Sequence, residues 1–119
     1  MKISVIGLGY LGATHAVAMA KLGHSVIGIE QDSQKLANLQ AGKVPFFEPG
    51  LEVALAEVIK EGKISFQATH DENSASADIH FLCVGTPQSP TGSADTSYLY
   101  AAIKDLAPCL LYTSPSPRD

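Results

Sequence analysis

Apolar positions along the chain follow two spacings, and their alternation predicts the elements. Four short runs rich in β-branched residues are too short for helices and almost continuously apolar, which is typical of parallel strands covered on both faces. These runs are Ile3–Ile6, Val26–Ile29, Ile64–Phe66 and Ile79–Val84. Apolar residues between and after the runs recur with helical spacing and predict four helices that each bury one face. The helical positions are Ala13, Ala16, Val17 and Ala20, then Leu36 and Leu39, then Leu51, Leu55, Val58 and Ile59, and finally Leu99, Ala102, Ile103 and Leu106.

Glycine, proline and small polar residues mark the ends of these elements. Gly23 and Gly62 fit the position just after a helix, Ser33 and Asp95 fit N-caps, and Pro49 suits a first helical turn. Strands that alternate with helices require right-handed crossovers and a parallel sheet. The sequence therefore predicts a doubly wound α/β domain, in the usual 3-2-1-4 strand order of Rossmann-type folds.

Two proline-containing segments, 44–50 and 85–95, are predicted loops, and the last residues differ from the rest. Two Ser-Pro pairs near the C-terminus cannot continue a helix or lie in a central strand. We therefore expect one domain over residues 1–109 and a disordered, non-native tail over residues 110–119.

Composition excludes several classes of protein. The 119 residues suffice for one small domain, and 45% of them are apolar, so disorder is not expected. The net charge is −4 and lysines and arginines form no cluster, which argues against nucleic acid or an anionic membrane surface as partner. No apolar run approaches the roughly 18 residues of a membrane span. Cys83 and Cys109 lack metal-ligand spacing, and two isolated thiols favour the reducing cytoplasm.

The strongest motif is Gly7-Leu8-Gly9-Tyr10-Leu11-Gly12, which follows the first predicted strand and opens an alanine-rich helix. Each glycine has a mechanical reason in a dinucleotide site. Gly7 allows the tight turn, Gly9 lets the backbone approach a pyrophosphate, and Gly12 lets helix and strand pack closely. The pyrophosphate then lies at a helix N-terminus, where free N–H groups favour negative charge.

Glu30 ends the second predicted strand, 23 positions after Gly7, where the fingerprint places its ribose-binding acid. Its carboxylate can accept hydrogen bonds from both ribose hydroxyls of NAD. In NADP a phosphate would face this carboxylate, and two like charges about 4 Å apart repel by roughly 4 kcal/mol at an effective dielectric constant near 20. No arginine follows to offset that repulsion, so the sequence predicts NAD as cofactor.

The segment after the fourth predicted strand, Cys83 to Pro87, would flank the same crevice, and Thr86 could donate a hydroxyl hydrogen bond to the cofactor. Other reactive residues are interpreted as structural. His15 lies in the first predicted helix, His24 follows a turn, and Cys83 belongs to an apolar strand. No catalytic residue and no metal site is predicted.

These motifs together resemble the UDP-glucose/GDP-mannose dehydrogenase family over roughly residues 1–109. The resemblance implies a cytoplasmic enzyme that oxidises the C6 alcohol of a nucleotide sugar to a carboxylate with two NAD. It also implies cofactor contacts from Gly7 to Gly12, Glu30, Lys35 and Val84-Gly85-Thr86-Pro87-Gln88. The family usually has Asp where Glu30 stands. The similar segments are Lys2–Gly12, Gly23–Val26, Phe47–Leu51, Val84–Pro87 and Gly92–Tyr98.

The resemblance ends after Cys109, and the family's catalytic cysteine, lysine and glutamate lie beyond that point. We therefore expect the N-terminal NAD-binding part of such an enzyme, inactive alone, with its sheet incomplete at the C-terminal side. UDP-glucose is the expected substrate, with GDP-mannose or a UDP-N-acetylhexosamine as alternatives, and the full-length protein is expected to be a homo-oligomer. The competing interpretations are a non-catalytic NAD-sensing module and a fragment that never folds stably.

Overall fold

A computed structural model describes residues 1–44, 46, 48–84 and 97–113. These residues form a four-stranded parallel sheet with helices on both faces. The strands are β1 (Lys2–Ile6), β2 (Ser25–Ile29), β3 (Ile64–Gln67) and β4 (Ile79–Leu82), and the helices are α1 (Tyr10–Lys21), α2 (Ser33–Gln40), α3 (Leu51–Lys60), α4 (Glu72–Ala75) and α5 (Ser97–Thr113).

The strand order is β3-β2-β1-β4, which confirms the predicted doubly wound fold. All three pairings are parallel, and Ile6 at the end of β1 pairs with Ile29 on one side and Leu82 on the other. The chain moves outward from β1 to β3 and then returns to the opposite side of β1. The carboxyl ends of β1, β2 and β4 therefore meet at the switch point, where folds of this class bind their ligands.

Side-chain alternation along β1 divides the core into two layers. Ile3 and Val5 pack beneath the alanine face of α1 and the apolar face of α3. The four positions of α1 that the sequence predicts to be buried are buried in the structure, and they are Ala13, Ala16, Val17 and Ala20. On the other face, Ile6 packs with Ile27, Ile29 and the Ala102 and Leu106 side chains of α5. Ile103 departs from the prediction for this helix, because its side chain is 43% exposed.

Helix boundaries follow the predicted punctuation with two corrections. Gly23 and Gly62 have φ values of +102° and +72° directly after the C-caps of α1 and α3, as predicted. The N-cap of α2 is Asp32 and not Ser33, because the longer-reaching Asp32 carboxylate accepts hydrogen bonds from the N–H groups of Gln34 and Lys35. Pro49 precedes α3 instead of lying in its first turn, since Gly50 at φ +81° is the N-cap. Asp95 lies outside the described residues.

Two segments depart from the predicted elements. The short helix α4 has no apolar periodicity, and its start depends on a capping box in which Asp71 and Ser74 bond each other's backbone N–H groups. At the other end, α5 continues to Thr113, so residues 110–113 are helical and not part of a disordered tail. Residues 114–119 lie outside the described residues.

The fourth strand is shorter than predicted and lies at the edge of the sheet. It ends at Leu82, and among the described strands it pairs with β1 alone. Ile79 and Leu82 are 39% and 37% exposed. In the part of the chain that the structure describes, no helix has the length and apolar character needed to span a membrane.

Candidate functional site

The glycine loop between β1 and α1 is shaped by close backbone contacts. Gly7 adopts φ +90°, and its N–H donates to the Ile29 carbonyl at 2.9 Å. A Cβ atom on Gly12 would lie 1.9 Å from the Gly7 carbonyl oxygen, a distance that the backbone cannot accommodate without moving. A Cβ atom on Gly9 would meet no atom within 4 Å. Gly7 and Gly12 are thus required by packing, whereas Gly9 faces open space.

The open space beside Gly9 lies at the N-terminus of α1. No side chain caps α1, whose N-cap is Gly9, and its first turn holds no acidic residue. Asp32 caps α2 and Asp71 caps α4, whereas α3, like α1, begins at a glycine without a side-chain cap. The first N–H groups of a helix lack partners within the helix and carry partial positive charge. The first N–H groups of α1 therefore have no side-chain acceptor and can receive an anion.

Glu30 lies directly beyond β2 and braces the glycine loop. Its Oε1 accepts the N–H of Leu8 at 2.9 Å, and its Oε2 accepts the N–H of Asp32 at 3.0 Å. An ionised carboxylate has about four lone-pair positions, so these two bonds leave acceptor capacity for further donors. The carboxylate is thus fixed beside the loop and can still bind a pair of hydroxyl groups.

A cleft of about 1120 Å³ opens at the carboxyl ends of the strands. The structure places eight of the predicted site residues on its wall, while Gly12 is buried behind the loop. Gly85, Thr86, Pro87 and Gln88, also predicted to contact the cofactor, lie outside the described residues. The eight lining residues are Gly7, Leu8, Gly9, Tyr10, Leu11, Glu30, Lys35 and Val84.

Sequence reasoning missed several residues of the same cleft. Thr69 and His70 follow β3, Gln31 follows Glu30, and Ala102 and Asp105 belong to α5. The 3-2-1-4 order contained a signal for the first two, because it places the end of β3 beside the end of β2. Asp105 had no such signal, since its position depends on how α5 packs across the sheet.

The loop before α3 contacts Tyr10, the first residue of α1. The Tyr10 hydroxyl donates to Glu48 Oε1 at 2.6 Å, and the Tyr10 ring packs edge-on against Phe46 with centroids 5.0 Å apart. The hydrogen bond to the Glu48 carboxylate raises the pKa of Tyr10, so its hydroxyl stays protonated. Glu48, which belongs to the Phe47–Leu51 segment singled out in the sequence, thus contacts Tyr10 of the cleft wall, whereas Phe47 lies outside the described residues.

Cys83 and His15, both interpreted as structural from the sequence, have surroundings that agree with this interpretation. Cys83 lines the cleft, but burial raises the pKa of its thiol, which disfavours the reactive thiolate. The His15 ring packs edge-on against Phe81 with centroids 4.3 Å apart. Among the described residues, no group of three potential metal ligands comes together.

Comparison with known proteins places this arrangement in a family. The model of the UDP-glucose/GDP-mannose dehydrogenase family, NAD binding domain, matches residues 1–113. UDP-glucose 6-dehydrogenase of Rhizobium meliloti is 39% identical over 90% of this chain and 25% of its own length. GDP-mannose dehydrogenase of Pseudomonas aeruginosa superposes with a TM-score of 0.91 at 34% identity, over 97% of this chain and 26% of its own. UDP-N-acetyl-mannosamine dehydrogenase of Staphylococcus aureus superposes with a TM-score of 0.85 at 31% identity, over 92% of this chain and 26% of its own.

The chain thus spans about a quarter of the length of these relatives. The residues present fit the cofactor in the family's description, because an uncapped helix start suits a pyrophosphate and the Glu30 carboxylate suits a ribose. The chain belongs to the UDP-glucose/GDP-mannose dehydrogenase family, of which it forms the NAD-binding domain.

Proposed function

We propose that this chain is the cofactor-binding part of a cytoplasmic oxidoreductase that converts the C6 alcohol of UDP-glucose to a carboxylate with two NAD. The observation that carries the proposal is the open start of α1 beside the braced carboxylate of Glu30. The start of α1 suits a diphosphate, and the Glu30 carboxylate suits a ribose diol. Gly7 and Glu30 have the sequence spacing of a dinucleotide fingerprint. Bound NAD supplies the nicotinamide ring that accepts the hydride.

The residues of this chain bind and orient the cofactor. The N–H groups at the start of α1 receive the pyrophosphate, and the absence of a side chain at Gly9 permits its close approach. Glu30 accepts hydrogen bonds from the ribose hydroxyls, and Lys35 at the first turn of α2 adds positive charge. Residues Val84 to Gln88, with the Thr86 hydroxyl, complete the contacts in this proposal.

The substrate assignment rests on the relatives. UDP-glucose is our first choice because the R. meliloti relative is named for it, and the GDP-mannose and UDP-N-acetyl-mannosamine relatives give the two alternatives. The family's catalytic and sugar-binding residues have no counterpart in residues 1–109, so this chain alone is not expected to turn over any sugar. In the full-length protein we expect a nucleotide sugar as partner, homo-oligomeric assembly, and no binding to nucleic acid or membrane.

A chimera tests the proposal against an NAD-sensing module. Residues 1–109 of this chain replace the matched first quarter of the R. meliloti enzyme, and NADH formation is followed by absorbance with UDP-glucose, the sugar nucleotide for which that enzyme is named. We expect NADH with UDP-glucose, and none from the 119-residue chain alone. A folded chimera that binds NAD by calorimetry but forms no NADH would contradict the oxidoreductase role.

A further inference from the structure

One end of the cleft differs in character from the glycine loop. On the face of the sheet covered by α5, its wall is apolar and consists of Ile6, Ile29, Val84 and Ala102, which pack together as one cluster. The cleft wall that contains this apolar slot also holds a polar pair, in which Gln31 Nε2 donates to Asp105 Oδ2 at 2.8 Å. An apolar slot with a polar pair on the same wall suits a planar heterocycle with hydrogen-bonding groups on its edge.

The position of the slot relative to Glu30 identifies which heterocycle it would hold. Gln31 is the next residue after Glu30, whose carboxylate is assigned to the adenosine ribose under the proposed function. The base and the ribose hydroxyls are substituents of one small ring. A base attached to that ribose must therefore lie within a few ångströms of Gln31, and among the described residues the apolar slot along α5 belongs to the same cleft wall as Gln31.

We infer that the Gln31–Asp105 pair reads the edge of the adenine base and selects it against a 6-oxo purine. The Asp105 carboxylate is acceptor-only when ionised, so it can bond the exocyclic amino group of adenine in addition to the Gln31 amide. The Gln31 amide has a second N–H that can donate to an acceptor nitrogen of the base. In hypoxanthine the amino group is replaced by a carbonyl oxygen, which the carboxylate repels.

A purely structural role for the pair makes a different prediction. If Asp105 only ties α5 to the end of β2 through Gln31, its removal lowers thermal stability without changing the choice of base. The readout that separates the two roles is therefore the ratio of affinities for two cofactors that differ only at the purine. NAD and nicotinamide hypoxanthine dinucleotide form such a pair.

Isothermal titration of the 119-residue chain with each dinucleotide tests the inference at pH 7. We expect the hypoxanthine analogue to bind about tenfold more weakly than NAD, since a charge-assisted hydrogen bond is lost. In Asp105→Asn, the amide can turn its N–H groups toward the carbonyl, and the ratio should fall to about twofold or less. Glu61→Gln, which removes an exposed charge at the end of α3, should leave the ratio unchanged.

Each outcome decides one question. Equal affinities of the unaltered chain for both dinucleotides would overturn the inference while leaving the proposed NAD-binding function intact, and that comparison requires no variant to fold. A tenfold preference that persists in Asp105→Asn, checked for folding by circular dichroism, would also overturn it. Absence of binding by either dinucleotide would instead contradict the proposed function.

Discussion

The Oε1 atom of Glu30 lies 2.9 Å from the backbone nitrogen of Leu8 and accepts its hydrogen bond. The acid that the sequence assigns to the cofactor ribose therefore also fixes the glycine loop, to which we assign the pyrophosphate. Its other oxygen accepts the Asp32 N–H at 3.0 Å. These two bonds hold the carboxylate between the glycine loop and the start of α2.

Glu30 should make the chain prefer NAD to NADP. A 2′-phosphate would be held against a fixed carboxylate, but Glu30 is only half-buried, so we discount the full Coulomb term and expect a preference of about tenfold. Glu30→Gln should narrow the gap to about threefold or less, and should also weaken NAD binding. Calorimetric titration of both cofactors at low ionic strength measures the two effects.

Salt provides the control for this interpretation. Repulsion between partly exposed charges is screened as ionic strength rises, so the preference should shrink between 20 mM and 500 mM salt. Glu61→Gln, remote from the cleft, should leave it unaltered. Equal affinities for NAD and NADP in the unaltered chain at low salt would defeat the role assigned to Glu30.

Gly9 and Gly12 form a matched pair for separating binding from folding. Gly12→Ala places a Cβ atom 1.9 Å from the Gly7 carbonyl oxygen, so we expect a loss of about 3 kcal/mol or more in the free energy of unfolding. Gly9→Ala meets no atom and keeps φ at −71°, so its stability should change by less than about 1 kcal/mol. Its NAD affinity should nevertheless fall about tenfold or more, because the new methyl group stands where the pyrophosphate approaches.

Urea denaturation and calorimetry on both variants measure these effects. A Gly12→Ala protein as stable as the unaltered chain would show that the loop rearranges more easily than its contacts indicate. Unchanged NAD affinity in Gly9→Ala would place the pyrophosphate elsewhere than at the start of α1.

The sequence predicted the parts of the molecule that depend on local pattern. The β-branched runs, the alanine face of α1 and the glycines after α1 and α3 are set by near neighbours along the chain, and the structure has them. The short helix α4 was missed, because its capping box depends on hydrogen bonds and not on apolar period. The sequence pattern also predicts Ser33 as the N-cap of α2, whereas in the structure the carboxylate of the neighbouring Asp32 accepts two backbone N–H groups there.

The missed part of the site has a different cause. Asp105 is 74 positions from Gln31, and only the packing of α5 across the sheet brings their side chains together. His70, which shares the cleft wall with them, is a different case, because the 3-2-1-4 strand order places the end of β3 beside the end of β2. Motifs locate residues within one turn or strand end, whereas contacts between distant elements depend on packing that no local pattern contains.

Two half-buried histidines should make folding pH-dependent. Burial lowers the pKa of His70, with a further lowering from nearby His80, and burial also lowers the pKa of His80. Because both rings are partly buried, the folded state disfavours their charged form. The unfolded chain then binds more protons than the folded one near pH 6.5. The two neutral histidines therefore contribute to the free energy of unfolding above pH 6.5, and this contribution is lost as the pH falls below 6.5.

Thermal unfolding between pH 7.5 and pH 5.0 measures this dependence. His80→Gln should flatten the profile even if it lowers every melting temperature, while His24→Gln, in the turn after α1, should leave the slope as it is. The Asp71 and Asp105 carboxylates oppose the lowering of the His70 pKa in part, and a hydrogen bond to the Ala75 backbone opposes the lowering of the His80 pKa in part. Hydrogen bonding to the Ser74 backbone lowers the pKa of Asp71 from 3.8, so its own contribution is lost only at more acid pH. A melting temperature independent of pH over this range would contradict the prediction.

The exposed edge of the sheet should cause the 119-residue chain to associate. Ile79 and Leu82 on β4 are 39% and 37% exposed, and among the described strands β4 pairs only with β1, so its outer backbone groups offer a template for another chain. Ile79→Lys should reduce association, because a charged side chain on an edge strand opposes pairing. Val53→Lys, which adds the same charge at a 66% exposed position on α3, is the matched control and should change association little.

Size-exclusion chromatography with light scattering measures the association of the 119-residue chain. Thermal melts should show a higher melting temperature with NAD, which binds only the folded state. A monomer that melts cooperatively above about 65 °C without NAD would show that the edge of β4 is stable in water by itself.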